Sequence, residues 1–406
     1  MKILMVNKFL YPRGGSESYM LKLGDYFKSI GHEVEYFGMY DEKNTVGNSL
    51  NLYTQNMDFH SKALGRFLYP FKIIYSLESK RKIAKVLDSF KPDIVHMNNI
   101  NFQLTPSMIY AVKKRNIPLV QTVHDYQMIC PNHLLYNFKE QKSCTRCIKG
   151  SKLNCLKYKC IHNSTVKSLL GVIEAQVYSV LKTYKLVDTF ICPSNFLENK
   201  LLSSKKFYKD KTYTIHNFIN KPQNVEAKSD EPYIAFVGRL SKEKGVELLA
   251  ETAKLLPEYK FVVAGSGPDE ATLLGIPNIH MTGFLTGDEL VRTMKGAKLL
   301  LLPSVCFENC PLSILEAHSM GVPVVTMNSG GMAELVKDNV TGTLVPEATP
   351  EHIADAIKKT MDNEEYYVKL KDNCMELSTS IFTVDKYAEI LLNKYSDIIK
   401  WRKNRG

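Results

Sequence analysis

A rhythm of short, nearly all-apolar runs separated by longer stretches of helical spacing constrains this chain most, and the rhythm runs twice. In the first half KILMVN, HEVEYFGM, PDIVHMNN, PLVQTVHD and VDTFICPS are strand signals. Helical patterns separate most of them, the first being GGSESYMLKLGDYFKSIG, which stops at Gly31. Repeated strand–helix–strand units specify a parallel sheet with helices on both faces. A polar, non-periodic segment at 216–232, holding Pro222 and Pro232, reads as a linker. The rhythm then resumes with YIAFVG, KFVVAG, NIHMTGF, LLLLPS and VPVVTM. The expected organisation is α/β: a doubly wound domain over 1–215, a second over 233–384, and an amphipathic helix over 385–406 that packs back on the first domain. Two such domains place ligands at the C-terminal strand ends, facing an interdomain cleft.

Charge is divided unevenly. The net charge is +11. Residues 1–215 hold 32 Lys and Arg against 16 Asp and Glu, a balance of +16; the remainder holds 21 against 26, a balance of −5. A basic first half implies an anionic partner there: a phospholipid surface, a phosphorylated acceptor or a nucleic acid. No nucleic-acid-binding motif accompanies the charge, which leaves a basic nucleic-acid binder as the reading from another class and argues against nucleic acid as a partner. No run approaches the ~20 consecutive apolar residues of a spanning helix. The N-terminus reads as a strand and not a leader, so the expected location is the cytosol or the cytosolic face of a membrane. The stretch HSKALGRFLYPFKIIYSLESKRKIAKVL (60–87) mixes basic and aromatic residues. It reads equally as a membrane-surface segment or as a helix packed on its own domain with a solvated basic face.

The most informative stretch is LLLLPSVCFENCPLSILEAHSMGVPVVTMNSGGMAELV, residues 299–336. A buried strand ends at Pro303, a loop carries Glu308 and Asn309, and Pro311 and Leu312 open a helix that contains Glu316. A helix start offers unpaired amides and the positive end of a dipole, a site for a diphosphate. The two carboxylates can meet a sugar and a ribose on either side of it.

This stretch resembles the Glu-x7-Glu signature of the retaining GT-B glycosyltransferases of family four, and the resemblance covers nearly the whole chain. FVGRLSKEKGVELL (236–249) is similar to the family's donor-phosphate segment, with Arg239 and Lys244 at the matching positions. VVAGSGP, with Gly265 and Gly267, resembles its glycine-rich turn near the nucleotide; RGGSE, with Gly14 and Gly15, resembles its N-terminal glycine loop. QTVHD resembles the strand end that carries a site histidine, His124, and SGGMAELV completes the set with Glu334. The resemblance implies two facing Rossmann-like domains and a nucleotide-sugar donor. It also implies a glycan acceptor, lipid-linked or a polysaccharide precursor, with a soluble small molecule as the alternative. It implies contact of His124 with the transferred sugar. The transferred group would be a hexosyl or N-acetylhexosaminyl unit.

The reaction requires charge to grow on a departing diphosphate. Arg239 and Lys244, with the helix start at Pro311 and Leu312, can neutralise it. No Asp-x-Asp pair is present to hold a metal, so no cofactor is expected for catalysis.

Five of nine cysteines crowd one segment, expected to be an insertion over 130–163 overhanging the acceptor side. Cys144 and Cys147 form a CxxC, which Cys155 and Cys160 could complete as a structural zinc site. Free or disulfide-paired thiols are the alternative.

Overall fold

The computed structural model describes residues 1–406 except 57–68, 205, 220–225, 227–230, 382 and 405–406. Most of the 216–232 linker and part of the 60–87 stretch therefore lie outside the described residues. The chain forms two compact units. Unit 1 comprises Met1–Leu135, Cys144–His216 and Val384–Gly406; unit 2 comprises Tyr136–Ser143 and Asn217–Thr383.

Unit 1 is built on six parallel strands: β1 (Lys2–Val6), β2 (Glu33–Phe37), β3 (Ile94–Met97), β4 (Leu119–Thr122), β7 (Thr189–Cys192) and β8 (Thr212–Thr214). Their order is β2-β1-β3-β4-β7-β8, so the winding reverses between β1 and β3. The short strands β5 (Tyr136–Asn137) and β6 (Lys142–Ser143) form an antiparallel hairpin. Unit 2 has β9 (Ile234–Val237), β10 (Phe261–Ala264), β11 (Ile279–Gly283), β12 (Leu299–Leu302), β13 (Val324–Met327) and β14 (Gly342–Val345). Their order is β11-β10-β9-β12-β13-β14, again all parallel, with the reversal between β9 and β12. Strands covered on both faces need no polar alternation, which is why FVVA, LLLL and VVTM are buried throughout. The doubly wound α/β reading thus holds in both units. In such sheets ligands bind beyond the C-terminal strand ends at the reversal.

The C-terminal helix Val384–Lys403 belongs to unit 1. It buries Tyr387, Ala388, Leu391 and Tyr395, one stripe at helical spacing. Near its end Arg402 reaches Asp188 with two nitrogens, at 2.8 and 3.2 Å. The helix Leu77–Phe90 starts on Ser76, whose hydroxyl accepts from the Ser79 amide at 3.1 Å, and turns Ile83, Val86, Leu87 and Phe90 inward. Two of its cations are engaged locally, Lys82 with Glu78 at 2.7 Å and Lys80 with the Tyr75 hydroxyl at 2.9 Å, while Arg81 and Lys85 are exposed. The described part of the basic-aromatic stretch holds two helices, Tyr69–Ile74 and Leu77–Phe90, the second packed on its own domain through its apolar side. Among the described residues no helix is long and apolar enough to cross a membrane.

The hairpin departs from expectation. It lies within the cysteine-rich insertion of the first half, yet it belongs to unit 2. Tyr136 is buried there, and the Ser143 hydroxyl donates to the Val305 carbonyl at 3.0 Å. The phenol of Tyr136 is pushed up to about 12 by burial and by the nearby Cys306 and Glu243. Hairpin, helix Val246–Leu255 and the loops after β12 and β13 enclose a cavity of about 540 Å³, lined among others by Ser143, Lys242, Gly245, Ser304 and Asn328.

Candidate active site

In unit 2 the two loops that part at the β9/β12 reversal meet through one ion pair. Lys244, in the loop after β9, bonds Oε1 of Glu308, in the loop after β12. Ser304 donates its hydroxyl to the same oxygen at 2.9 Å. Burial works against the charge on Lys244, but Glu308 and Cys306 more than offset it and raise its pKa above the ordinary lysine value. Backbone bonds fix the rest of the loop: the amides of Val305 and Cys306 donate to the Glu243 carbonyl at 3.1 and 3.3 Å. On the far side the Glu308 carbonyl accepts from Gly331 at 2.8 Å. Gly330 lies beside it at φ +62, and a Cβ there would stand 2.6 Å from the Glu308 carbonyl oxygen. That close approach explains the Ser-Gly-Gly in the sequence.

Arg239 is exposed in the loop after β9 and makes no ion pair among the described residues. Gly265 and Gly267 let the loop after β10 pack directly on it. A Cβ at these positions would stand 1.9 Å from the Gly238 carbonyl oxygen and 2.1 Å from that of Leu240. The Gly265 amide donates to the Gly283 carbonyl at 2.8 Å, so this glycine shapes the Arg239 loop and does not offer its own N–H to a phosphate. Pro311 is the N-cap of the helix Leu312–Ser319, and Glu316 lies half-buried within it. Asn309 is half-buried in the preceding loop, whose Cys310 carbonyl accepts from the Asn217 side chain at 3.2 Å.

Three further site residues belong to unit 1. Gly14 and Gly15 are exposed at the start of helix Gly15–Ser29. His124 follows β4, with Nε2 2.9 Å from Asn98 Oδ1 and its ring packed edge-on against Tyr19 at 5.0 Å. Burial pushes its pKa down to about 4, so the imidazole is neutral near pH 7. Beside it, Asp125 accepts from the Asn101 amide at 2.7 Å, and Asn101 Nδ2 lies 3.1 Å from His133 Nδ1. His133 stacks on Phe102 at 4.7 Å, and both hold left-handed backbones, at φ +67 and +58. Strained non-glycine residues of this kind gather at functional sites.

Sequence reasoning missed Ser304, Glu243, Asn98 and Asn101. Ser304 and Asn98 bond Glu308 and His124, already singled out, while Glu243 holds the amides of Val305 and Cys306 and Asn101 holds Asp125 and His133; no local pattern marks such partners.

The four cysteines of the zinc reading are free thiols in the structure. Cys147, Cys155 and Cys160 pack with Val172 in one small apolar cluster, while Cys144 is half-exposed. Among the described residues no three His, Cys, Asp or Glu side chains are placed to hold a metal ion. The Cys155 thiol is held protonated by its hydrogen bond with Cys160 and by burial, and burial also raises Cys147. If these thiols hold zinc, reduced protein is expected to carry about one zinc per chain by elemental analysis, and finding none would end the reading.

With this geometry established, comparison with known proteins identifies the class. The family description "Glycosyltransferase Family 4" matches residues 13–221, and "Glycosyl transferases group 1" matches residues 217–376. An uncharacterized glycosyltransferase of Methanocaldococcus jannaschii is 25% identical over 415 residues, covering 97% of this chain and 98% of its own. An uncharacterized 42.6 kDa protein in the cps region of Klebsiella pneumoniae is 25% identical over 354 residues, covering 82% and 87%. Among solved structures, Anabaena HepE in complex with UDP and glucose superposes with a TM-score of 0.69 at 16% identity, over 98% of this chain and 100% of that one. Fold and site define a glycosyltransferase of the two-domain GT-B type. The chain belongs to glycosyltransferase family 4.

Proposed function

We propose that this protein moves a hexosyl or N-acetylhexosaminyl unit from a nucleoside-diphosphate sugar to a glycan acceptor, with retention of anomeric configuration. The observation that carries the reading is the Lys244–Glu308 pair at the sheet reversal of unit 2, flanked by Arg239 and by the helix start at Leu312. Lys244 and Arg239 meet the diphosphate, Glu308 accepts from a sugar hydroxyl, and Glu316 accepts from the ribose. The bond from the anomeric carbon to the phosphate oxygen breaks, and a bond to the acceptor oxygen forms on the same face. The acceptor's proton passes to the departing phosphate, so no protein nucleophile is needed. Two fixed cations and a helix dipole supply the charge stabilisation that a divalent metal provides elsewhere. HepE's complex with UDP and glucose supports a nucleotide-sugar donor by likeness of fold. The basic balance of residues 1–215 supports an acceptor on a lipid carrier or polysaccharide precursor at the cytosolic face of an anionic membrane.

The test is a panel of nucleotide sugars scored by calorimetry and by slow donor hydrolysis, each run with and without EDTA. One donor class is expected to bind and to release its nucleoside diphosphate equally well in both, with retained configuration by NMR. Loss of turnover that magnesium alone restores would end the metal-free mechanism. Failure to bind any nucleotide sugar would end the transferase reading.

A further inference from the structure

Five buried side chains of unit 1 form one hydrogen-bonded circuit. The Tyr395 hydroxyl lies 2.5 Å from His96 Nδ1, and His96 Nε2 lies 2.7 Å from the Thr122 hydroxyl. Thr122 is 3.3 Å from the Tyr19 hydroxyl, which is 2.5 Å from that of Tyr387. None of the five is more than 4% exposed. Both ends lie on the C-terminal helix, eight residues apart, which at 3.6 residues per turn is about two turns along one side. Burial pushes the His96 pKa down to about 3, with His124 adding to the effect, so the ring is neutral. One ring nitrogen then donates and the other accepts, which links the sense of the bonds on its two sides.

The circuit touches the candidate site at one point. The Tyr19 ring meets His124 edge-on, with centroids 5.0 Å apart and planes at 68°, and meets Tyr387 at 5.6 Å and 88°. Without the Tyr387 hydroxyl, the Tyr19 phenol loses the shorter of its two bonds in this circuit, the other being the 3.3 Å contact to Thr122. The wall against which the imidazole rests then loosens.

We infer that Tyr387 and Tyr395 are positioning residues: through Tyr19 and Thr122, the C-terminal helix sets the orientation of His124. The inference rests on the reading of His124 as a group that meets the transferred sugar. It gives the helix a part in catalysis that its packing stripe alone would not.

The experiment compares Tyr387→Phe and Tyr19→Phe with Arg402→Ala, which loosens the same helix at the Asp188 contact away from the circuit. Each is measured alone and with His124→Ala, alongside NMR of 13C-histidine-labelled protein. Both Phe variants are expected to lower kcat about fivefold to tenfold with donor KM nearly unchanged, the scale of a modest misplacement of a reacting group. Both should shift the His124 ring resonances. Arg402→Ala should lower Tm while leaving kcat and those resonances in place. In the His124→Ala background the Phe substitutions should cost nothing further. A wild-type kcat in Tyr387→Phe, an equal loss in Arg402→Ala, or a loss that persists without His124 would overturn the inference. Normal turnover in His124→Ala alone would instead remove the role read for His124. The NMR arm then still decides the coupling: unmoved His124 resonances in Tyr387→Phe refute it.

Discussion

Lys244→Ala is expected to cut turnover at least ~100-fold, the scale of losing one strong transition-state contact. Without donor, Lys244 and Glu308 neutralise each other, with Ser304 sharing the same carboxylate oxygen. On the proposed function, an arriving diphosphate would take the ammonium as its counter-charge and free Glu308 for a sugar hydroxyl. Removing Lys244 acts twice, because it withdraws that counter-charge and leaves Glu308, only 12% exposed, without its cation next to an incoming anion. Glu308→Ala should reduce kcat more than it raises KM. Glu316→Ala should mainly raise donor KM, since a ribose contact is made equally in ground and transition states. Lys244→Ala combined with Glu308→Ala should fall short of the sum of the single losses, because the two groups are directly coupled. Steady-state kinetics of transfer and of donor hydrolysis check these outcomes. A Lys244→Ala enzyme within threefold of the parent would remove the assigned role.

The pair was legible as two separate residues before any geometry was known, because each sits in a pattern with its own physical cause. Lys244 follows a buried strand and precedes a glycine that turns the chain into a helix. Glu308 lies between a buried strand and a helix-starting proline. What the sequence did not carry was their direct bond, since 64 residues and three intervening strands' worth of chain separate them. The hairpin at 136–143 misled for a related reason. Its place in the chain lies within the first domain, and only the burial of Tyr136 and the bond from Ser143 to Val305 assign it to unit 2. The cysteines were legible only as a count: a CxxC and two more thiols nearby, which the structure carries on or beside the short helices Arg146–Lys149 and Leu153–Lys157. The paired strands were easier to read, because a strand buried on both faces must be apolar at every position.

Acid is expected to unfold unit 1 before unit 2. Burial pushes His96 down to about 3 and His124 and His133 to about 4, all in unit 1; His318, in unit 2, is also pushed to about 4. These rings stay neutral in the fold while the unfolded chain takes up protons below 6.5, so stability is lost as pH falls from there toward 4. His32, lowered by burial and by the N-terminal amine, acts in the same direction. Glu174 opposes them: burial raises it from 4.5 to about 7, so the fold binds its proton first and gains stability as pH falls across that window. Counting the three strongly shifted histidines against Glu174, unfolding unit 1 takes up two net protons between pH 4.5 and 6.5. That is about 2.7 kcal/mol lost per pH unit, against about 1.4 for His318, the one strongly shifted histidine of unit 2. Over two pH units the loss in unit 1 reaches the lower part of the ~5–15 kcal/mol that holds an ordinary domain together. The sole tryptophan, Trp401, lies on the C-terminal helix and reports unit 1 alone, while far-UV circular dichroism reports both units. Urea midpoints at pH 7, 6 and 5 should fall faster by Trp401 fluorescence than by dichroism, and the two transitions should separate as the pH drops. His133→Gln should flatten the fluorescence slope by about 1.4 kcal/mol per pH unit, one proton's share, whatever it does to stability at pH 7. A Trp401 midpoint that does not move between pH 7 and 5, or a slope unaltered in His133→Gln, would show that the buried histidines do not govern acid unfolding.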